Sequence, residues 1–266
     1  MAGLWGEGMA MQDWMVAGCR GGAKACGEGG SGGMEGAMVR SVIGKQLERV
    51  RERVREAARR AGRDPAEVRL IAVSKSKPAQ AVREAWEAGQ RDFGENYVQE
   101  LLGKAQELRE LEGIRWHMIG HLQTNKVKQV LTVVQVVQTV DSERLAAELS
   151  RRARERGERL RVLIEVNVGG EEQKSGVTMG EAAKLVEVVK GQGGLELVGL
   201  MTVPPYELEA EEAGEYFERL RGLRDALGGR EVLPELSMGM SHDFEVAIAR
   251  GATMVRVGTS IFGERG

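Results

Sequence analysis

The sequence predicts a parallel (β/α)8 barrel, and three observations carry that expectation. From Ser41 onward, eight short apolar runs alternate with longer amphipathic segments rich in charge. The runs are near-continuously apolar rather than alternating, as expected of parallel strands covered on both faces. The turn after the first run reads SKSKPAQ. It has none of the glycines that an open, dinucleotide-binding sheet sets at that point, which leaves the doubly wound sheet as the weaker alternative.

The elements follow in order. VIGKQLERVRERVREAARRAGRDP spaces Val42, Ile43, Leu47, Val50, Val54 and Ala57 at helical intervals and stops at Gly62, predicting an amphipathic helix. VRLIAVSK is the first strand: Leu70 to Val73 form its apolar run, and Pro78, with no backbone N–H, ends the ladder. Next come a helix from Ala79, the strand RDFGEN, a helix from Tyr97, the strand RWHMIG and a helix from Thr124. VVQTVD and a helix from Ser142 complete the first half. In the second half LRVLIEVNV precedes a helix from Met179, LELVGLMTVP one from about Glu207, and LPELSMGM one from Ser241. MVRVGTSIFG is the eighth strand.

A 42% hydrophobic content supports a full core, and a net charge of −2 gives no global field toward nucleic acid or an acidic membrane. Nowhere does the chain reach the roughly 18 apolar residues of a membrane span. Residues 1–38 hold about a third of the 37 glycines and show no periodicity, so they are expected to be a disordered leader ahead of one domain, 39–266. A start read too far upstream, with Met34 or Met38 the true beginning, accounts for such a leader. Both cysteines, Cys19 and Cys26, lie in it, leaving no disulfide framework and no zinc pattern and fitting a reducing cytoplasm.

In a barrel, chemistry collects where the strands end. Lys75 comes off the first strand, and is either a solvated rim charge or an amine placed against an apolar wall to capture a carbonyl. Lys77 precedes proline and belongs to the loop. After the seventh strand, Ser241 is read as the N-cap of the next helix, whose free N–H groups suit an anion. After the eighth, Gly258 permits close backbone approach and Thr259 adds a hydroxyl. Arg256, two residues before that glycine, is either paired with an interior carboxylate or a fixed cation aimed at a ligand.

LIAVSKSKP, FGENYVQE, WHMIGHLQTNK, GLMTVPP and LSMGMSHDFEVAIARGATMVRVGTSIFG together resemble the YggS/PROSC family of pyridoxal phosphate homeostasis proteins, from about Val39 to the end. The resemblance implies a single barrel like the amino-terminal domain of alanine racemase. It also implies binding and buffering of pyridoxal 5′-phosphate (PLP) without efficient turnover; PLP-using apoenzymes as recipients and a monomeric state are further expectations. Carried over, Lys75 matches the Schiff-base lysine; Ser241, Gly258 and Thr259 match phosphate-binding positions; Arg256 matches the residue facing the pyridine nitrogen. Asn96 and Ser237 fall near the cofactor. Lys174 is a second strand-exit lysine and the fallback. His121 stands where relatives often have proline, and His117 reads as structural or ring-packing, since three histidines without metal-site spacing imply no metal. Two alternatives remain at this stage: a PLP-dependent racemase or lyase, which needs a second acid–base group and for which no second domain is expected, and a phosphate-binding barrel without cofactor.

A chain begun at Met38 is expected to keep its melting temperature and cofactor content; a clear fall in either shows that the leader packs on the barrel.

Overall fold

The computed structural model describes residues 41–171, 173–205 and 207–264; the expected disordered leader, 1–38, lies outside them. The strands are β1 (Arg69–Val73), β2 (Asp92–Glu95), β3 (Arg115–Met118), β4 (Val134–Val140) and β5 (Leu160–Asn167). They continue with β6 (Val177–Thr178), β7 (Leu195–Met201), β8 (Glu235–Ser237) and β9 (Met254–Val257). The helices are α1 (Val42–Arg60), α2 (Ala79–Glu87), α3 (Val98–Glu107), α4 (Val127–Val130) and α5 (Glu143–Glu155). After them come α6 (Met179–Lys190), α7 (Ala210–Ala226), α8 (Gly229–Val232), α9 (Phe244–Ala249) and α10 (Thr259–Phe262).

Strand order β4-β3-β2-β1-β9-β8-β7-β5, with β5 pairing back onto β4, closes an eight-stranded parallel barrel. β6 adds a ninth strand that is not a stave: its two residues pair with Val166 and Asn167 at the end of β5. Two residues carry no periodicity, so the sequence reads this segment as loop. The last predicted strand also divides, because the chain leaves the ladder after Val257 and coils into α10. The helix expected from Ser241 starts at Phe244, and the one expected from Glu207 at Ala210.

Two cores result. The larger fills the shell between barrel and helices and includes Phe93, Leu101, Leu149, Phe217 and Phe244. The smaller lies apart from it and consists of Val136, Leu163, Val198 and Met201. α1 starts on Ser41, whose Oγ accepts from the Gly44 N–H at 3.1 Å, and buries Leu47, Val50, Val54 and Ala57. It packs on α2, α9 and α10, over the seam where the first strand meets the last. Among the described residues no helix is long and apolar enough to cross a membrane.

Strand exits approach one another closely. A Cβ on Gly120 would lie 2.2 Å from the Asn96 carbonyl oxygen, so only glycine lets the segments after β2 and β3 pass. Gly120→Ala is expected to cost about 1–3 kcal/mol in denaturant unfolding, as overpacking does, and an unchanged midpoint would show that the exits have slack.

Candidate functional site

The rim is built outward from β1. Beyond Val73 the Ser74 N–H still donates to the Gly94 carbonyl, and the chain then turns through Lys75 and Ser76. Three anchors hold that turn. Ser74 Oγ donates to Glu95 Oε1 at 2.6 Å; Lys104 Nζ donates to the Ser74 carbonyl and to Glu95 Oε1, both at 2.6 Å; Glu100 Oε2 accepts from the Ser76 N–H at 2.7 Å. Ser76 sits at φ +60°, a conformation that costs a non-glycine residue energy and persists because its neighbours fix it. Lys75 is thus half-buried between two anchored serines. Glu95 and Lys104 are an almost fully buried ion pair. Burial pushes the Glu95 carboxyl up, against the hydrogen bonds from Lys104 and Ser74.

The last strand closes on this turn. A Cβ on Gly258 would sit 3.1 Å from the Val73 carbonyl oxygen, so the bare glycine brings the end of β9 against the end of β1. The Gly258 N–H donates to Ser241 Oγ at 3.2 Å. This corrects the expectation of a cap: Asp243, not Ser241, is at the start of α9, and it folds the loop by accepting from the Met240 N–H. Ser241 instead ties the loop after β8 to the loop after β9. Thr259 opens α10, exposed, directly after Gly258.

Arg256 is buried, and its partners are neutral rather than the carboxylate of the blander reading. Nη1 donates to Ser237 Oγ at 2.6 Å and Nη2 to the Thr202 carbonyl at 2.8 Å. Burial lowers its pKa to about 10, with Asp243 and Glu165 pulling the other way, so it remains a cation at neutral pH. Asn96 Oδ1 is buried without a hydrogen-bond partner among the described residues. So is Glu165 Oε2, and burial plus the nearby Asp141 charge raise the Glu165 pKa to about 7.

Lys75, Gly258, Thr259 and Ser241 therefore share the rim around β1, β8 and β9, with Arg256 and Ser237 buried on those last two strands. Asn96 stands at the neighbouring exit of β2. Lys174 lies elsewhere, after β5, ion-paired with Glu171 at 3.2 Å, and Lys77 Nζ is bound to the Glu264 carbonyl. His117 is structural, hydrogen-bonded to Asp92 and Gln138, and His121 pairs with Asp141 at 3.2 Å. No group of metal-ligating side chains occurs among the described residues. A cavity of about 360 Å³ beside the exits of β3 and β4, between His121 and Arg144, includes none of the predicted site residues. Sequence reasoning missed Lys104, Gln138, Glu165 and Asp243. For Gln138 and Glu165 there was a signal, a polar residue inside an otherwise apolar strand.

The fold and rim define a class: a parallel barrel with a half-buried lysine, a buried guanidinium and two loops tied together at one side of its mouth. The family model for the alanine racemase N-terminal domain matches residues 46–266. A pyridoxal phosphate homeostasis protein of Aquifex aeolicus is 47% identical over 207 residues, 77% of this chain and 90% of the relative. One from Pseudomonas aeruginosa is 49% identical over 206 residues, 77% of this chain and 87% of the relative. PipY of Synechococcus elongatus, solved with PLP bound, superposes with a TM-score of 0.74 at 36% identity, covering 83% of this chain and all of that one. The chain belongs to the alanine racemase N-terminal domain family and, within it, to the pyridoxal phosphate homeostasis proteins.

The Glu165 shift has a consequence for stability. A carboxyl whose folded pKa lies above its ordinary 4.5 binds more protons folded than unfolded, so stability falls as pH rises from about 4.5 through about 7. Glu165→Gln is expected to remove that loss, gaining about 3 kcal/mol relative to the parent between pH 5 and pH 8. Parallel pH profiles for the two proteins in urea titrations would contradict it.

Proposed function

We propose that this protein binds pyridoxal 5′-phosphate at the rim formed by β1, β8 and β9, holds it reversibly, and makes it available to apoenzymes that use it. The observation that carries the reading is the close approach of Gly258 to Val73, which puts a lysine turn beside two loops tied by Ser241. The rim suits the cofactor in three respects. It offers an amine on an anchored turn, an unpartnered acceptor at Asn96 Oδ1, and a buried cation at Arg256. When bound, the cofactor supplies an aldehyde that condenses with amines and a conjugated ring that can accept electrons.

The residues divide the work. Lys75 supplies the amine that would take the aldehyde carbon, with release of one water. Thr259 and the loops joined by Ser241 and Gly258 would hold the phosphate. Arg256 would face the ring nitrogen; with its pKa at about 10, it would donate a hydrogen bond there and keep its proton. A ring left unprotonated is a poor electron sink, which favours holding over turnover.

Two measurements test this. Thr259→Val should weaken pyridoxal phosphate about tenfold or more while barely changing unphosphorylated pyridoxal, since a hydrogen bond to a charged group is worth about 1.5–3 kcal/mol. Equal losses would put the phosphate elsewhere. Exchange of the α-hydrogen of alanine in deuterium oxide, followed by NMR with the loaded protein, should be negligible; sustained exchange would favour a racemase or lyase.

A further inference from the structure

Below Arg256 a single file of side-chain hydrogen bonds crosses the barrel. Arg256 Nη1 donates to Ser237 Oγ at 2.6 Å, and Ser237 Oγ donates to Gln138 Oε1 at 2.6 Å. Gln138 Nε2 then donates to His117 Nδ1 at 3.0 Å, which puts the imidazole proton on Nε2, where it meets Asp92 Oδ1 at 3.1 Å. Asp92 is gripped by Arg115, Nε to Oδ1 at 2.8 Å and Nη2 to Oδ2 at 2.5 Å. The file enlists β9, β8, β4, β3 and β2 in turn. Ser237, Gln138 and His117 are at most 1% exposed, leaving them little access to bulk water.

Every bond in the file points the same way, from the Arg256 cation to the Asp92 carboxylate. The direction is set at the far end. Arg115 and His117 hold Asp92 ionised in spite of its burial, and burial keeps His117 neutral against the pull of Asp92, with Arg69 and Arg115 acting in the same sense as burial. A neutral imidazole whose proton is committed to Asp92 presents a bare Nδ1 to Gln138. The amide must then turn its NH2 to His117 and its oxygen to Ser237. Ser237 spends its one proton on that oxygen and is left to accept from Arg256. Reversing the amide would leave Ser237 facing two donors with its own proton unplaced.

We propose that His117 and Gln138 are positioning residues for Arg256: they fix Ser237 as an acceptor, and so lock the guanidinium between the Ser237 hydroxyl and the Thr202 carbonyl. The remaining N–H groups then keep one orientation. That these face the ring nitrogen of pyridoxal phosphate rests on the function proposed above; the lock itself is a property of the unliganded chain.

The test is NMR of the ¹⁵N-labelled protein without cofactor. At neutral pH, His117 should be protonated on Nε2 alone. The Arg256 Nη1 and Nη2 signals should be separately resolved. Gln138→Met, similar in size but unable to hydrogen-bond as an amide does, should leave the Ser237 hydroxyl unanchored, weaken its bond to Arg256, let the guanidinium rotate about tenfold faster or more and merge those signals. Gln138→Glu still accepts from Ser237 but cannot donate to His117. It should therefore place protons on both His117 nitrogens and leave Arg256 resolved. A proton on Nδ1 in the parent, or unchanged Arg256 signals in a folded Gln138→Met, overturns the proposal. Should Gln138→Met not fold, Gln138→Glu decides: a singly protonated His117 or a freely rotating Arg256 there overturns it equally. The ring-nitrogen reading is judged separately, by binding of an analogue with carbon in place of that nitrogen to the parent protein. Equal affinity for the two ligands removes that reading and leaves the apo result standing.

Discussion

The contact on which the mouth of this barrel depends is the one between its last strand and its first. Where β9 ends, Gly258 lies so close to the Val73 carbonyl that a Cβ would have to sit 3.1 Å from it. Closing the barrel there brings residues from opposite ends of the chain to one rim. The lysine turn rises from β1, α10 begins beside it, and Ser241 reaches across from the loop after β8 to hold the Gly258 N–H. A side chain at Gly258 would require the contact with Val73 to give by a few tenths of an ångström.

Beside that contact lies a buried polar cluster, which makes the geometry of the turn hard to deform. The buried pair Glu95–Lys104 pins the carbonyl and hydroxyl of Ser74, just before Lys75, while Glu100 pins the amide of Ser76 just after it. Breaking such a pair by removing one partner strands the other charge, which typically costs about 3–5 kcal/mol, so the turn cannot relax cheaply. Arg256 is held differently. Its partners are a hydroxyl and a carbonyl, and the nearby carboxylates of Asp243 and Glu165 offset part of its desolvation from a distance. A cation held by a hydroxyl and a carbonyl has neither of them to neutralise its charge.

The barrel was legible in the sequence because parallel strands buried on both faces leave apolar runs, as LIAV, VLIEV and LVGLM do. β6 was not, since two residues cannot show a period. Lys75, Asn96, Ser241, Gly258 and Thr259 stand at strand exits, with Ser237 and Arg256 on the strands beneath them, and Ser241 is not the helix cap its position suggests. A serine before a helical segment looks like a cap, and only the fold shows that the Gly258 N–H takes its oxygen. The interior file was written in the strands as polar residues among apolar ones: His117 in WHMIG, Gln138 in VVQTVD, Arg256 in MVRVG. Which of them touch depends on strand order and register around a closed barrel, and no local pattern carries that.

The most direct test of the account is to load the protein with pyridoxal phosphate, reduce it with borohydride and map the modified peptide by mass spectrometry. The account predicts one labelled site, at Lys75. A label on Lys77 or Lys174 in the unaltered protein, with Lys75 unmodified, would contradict it.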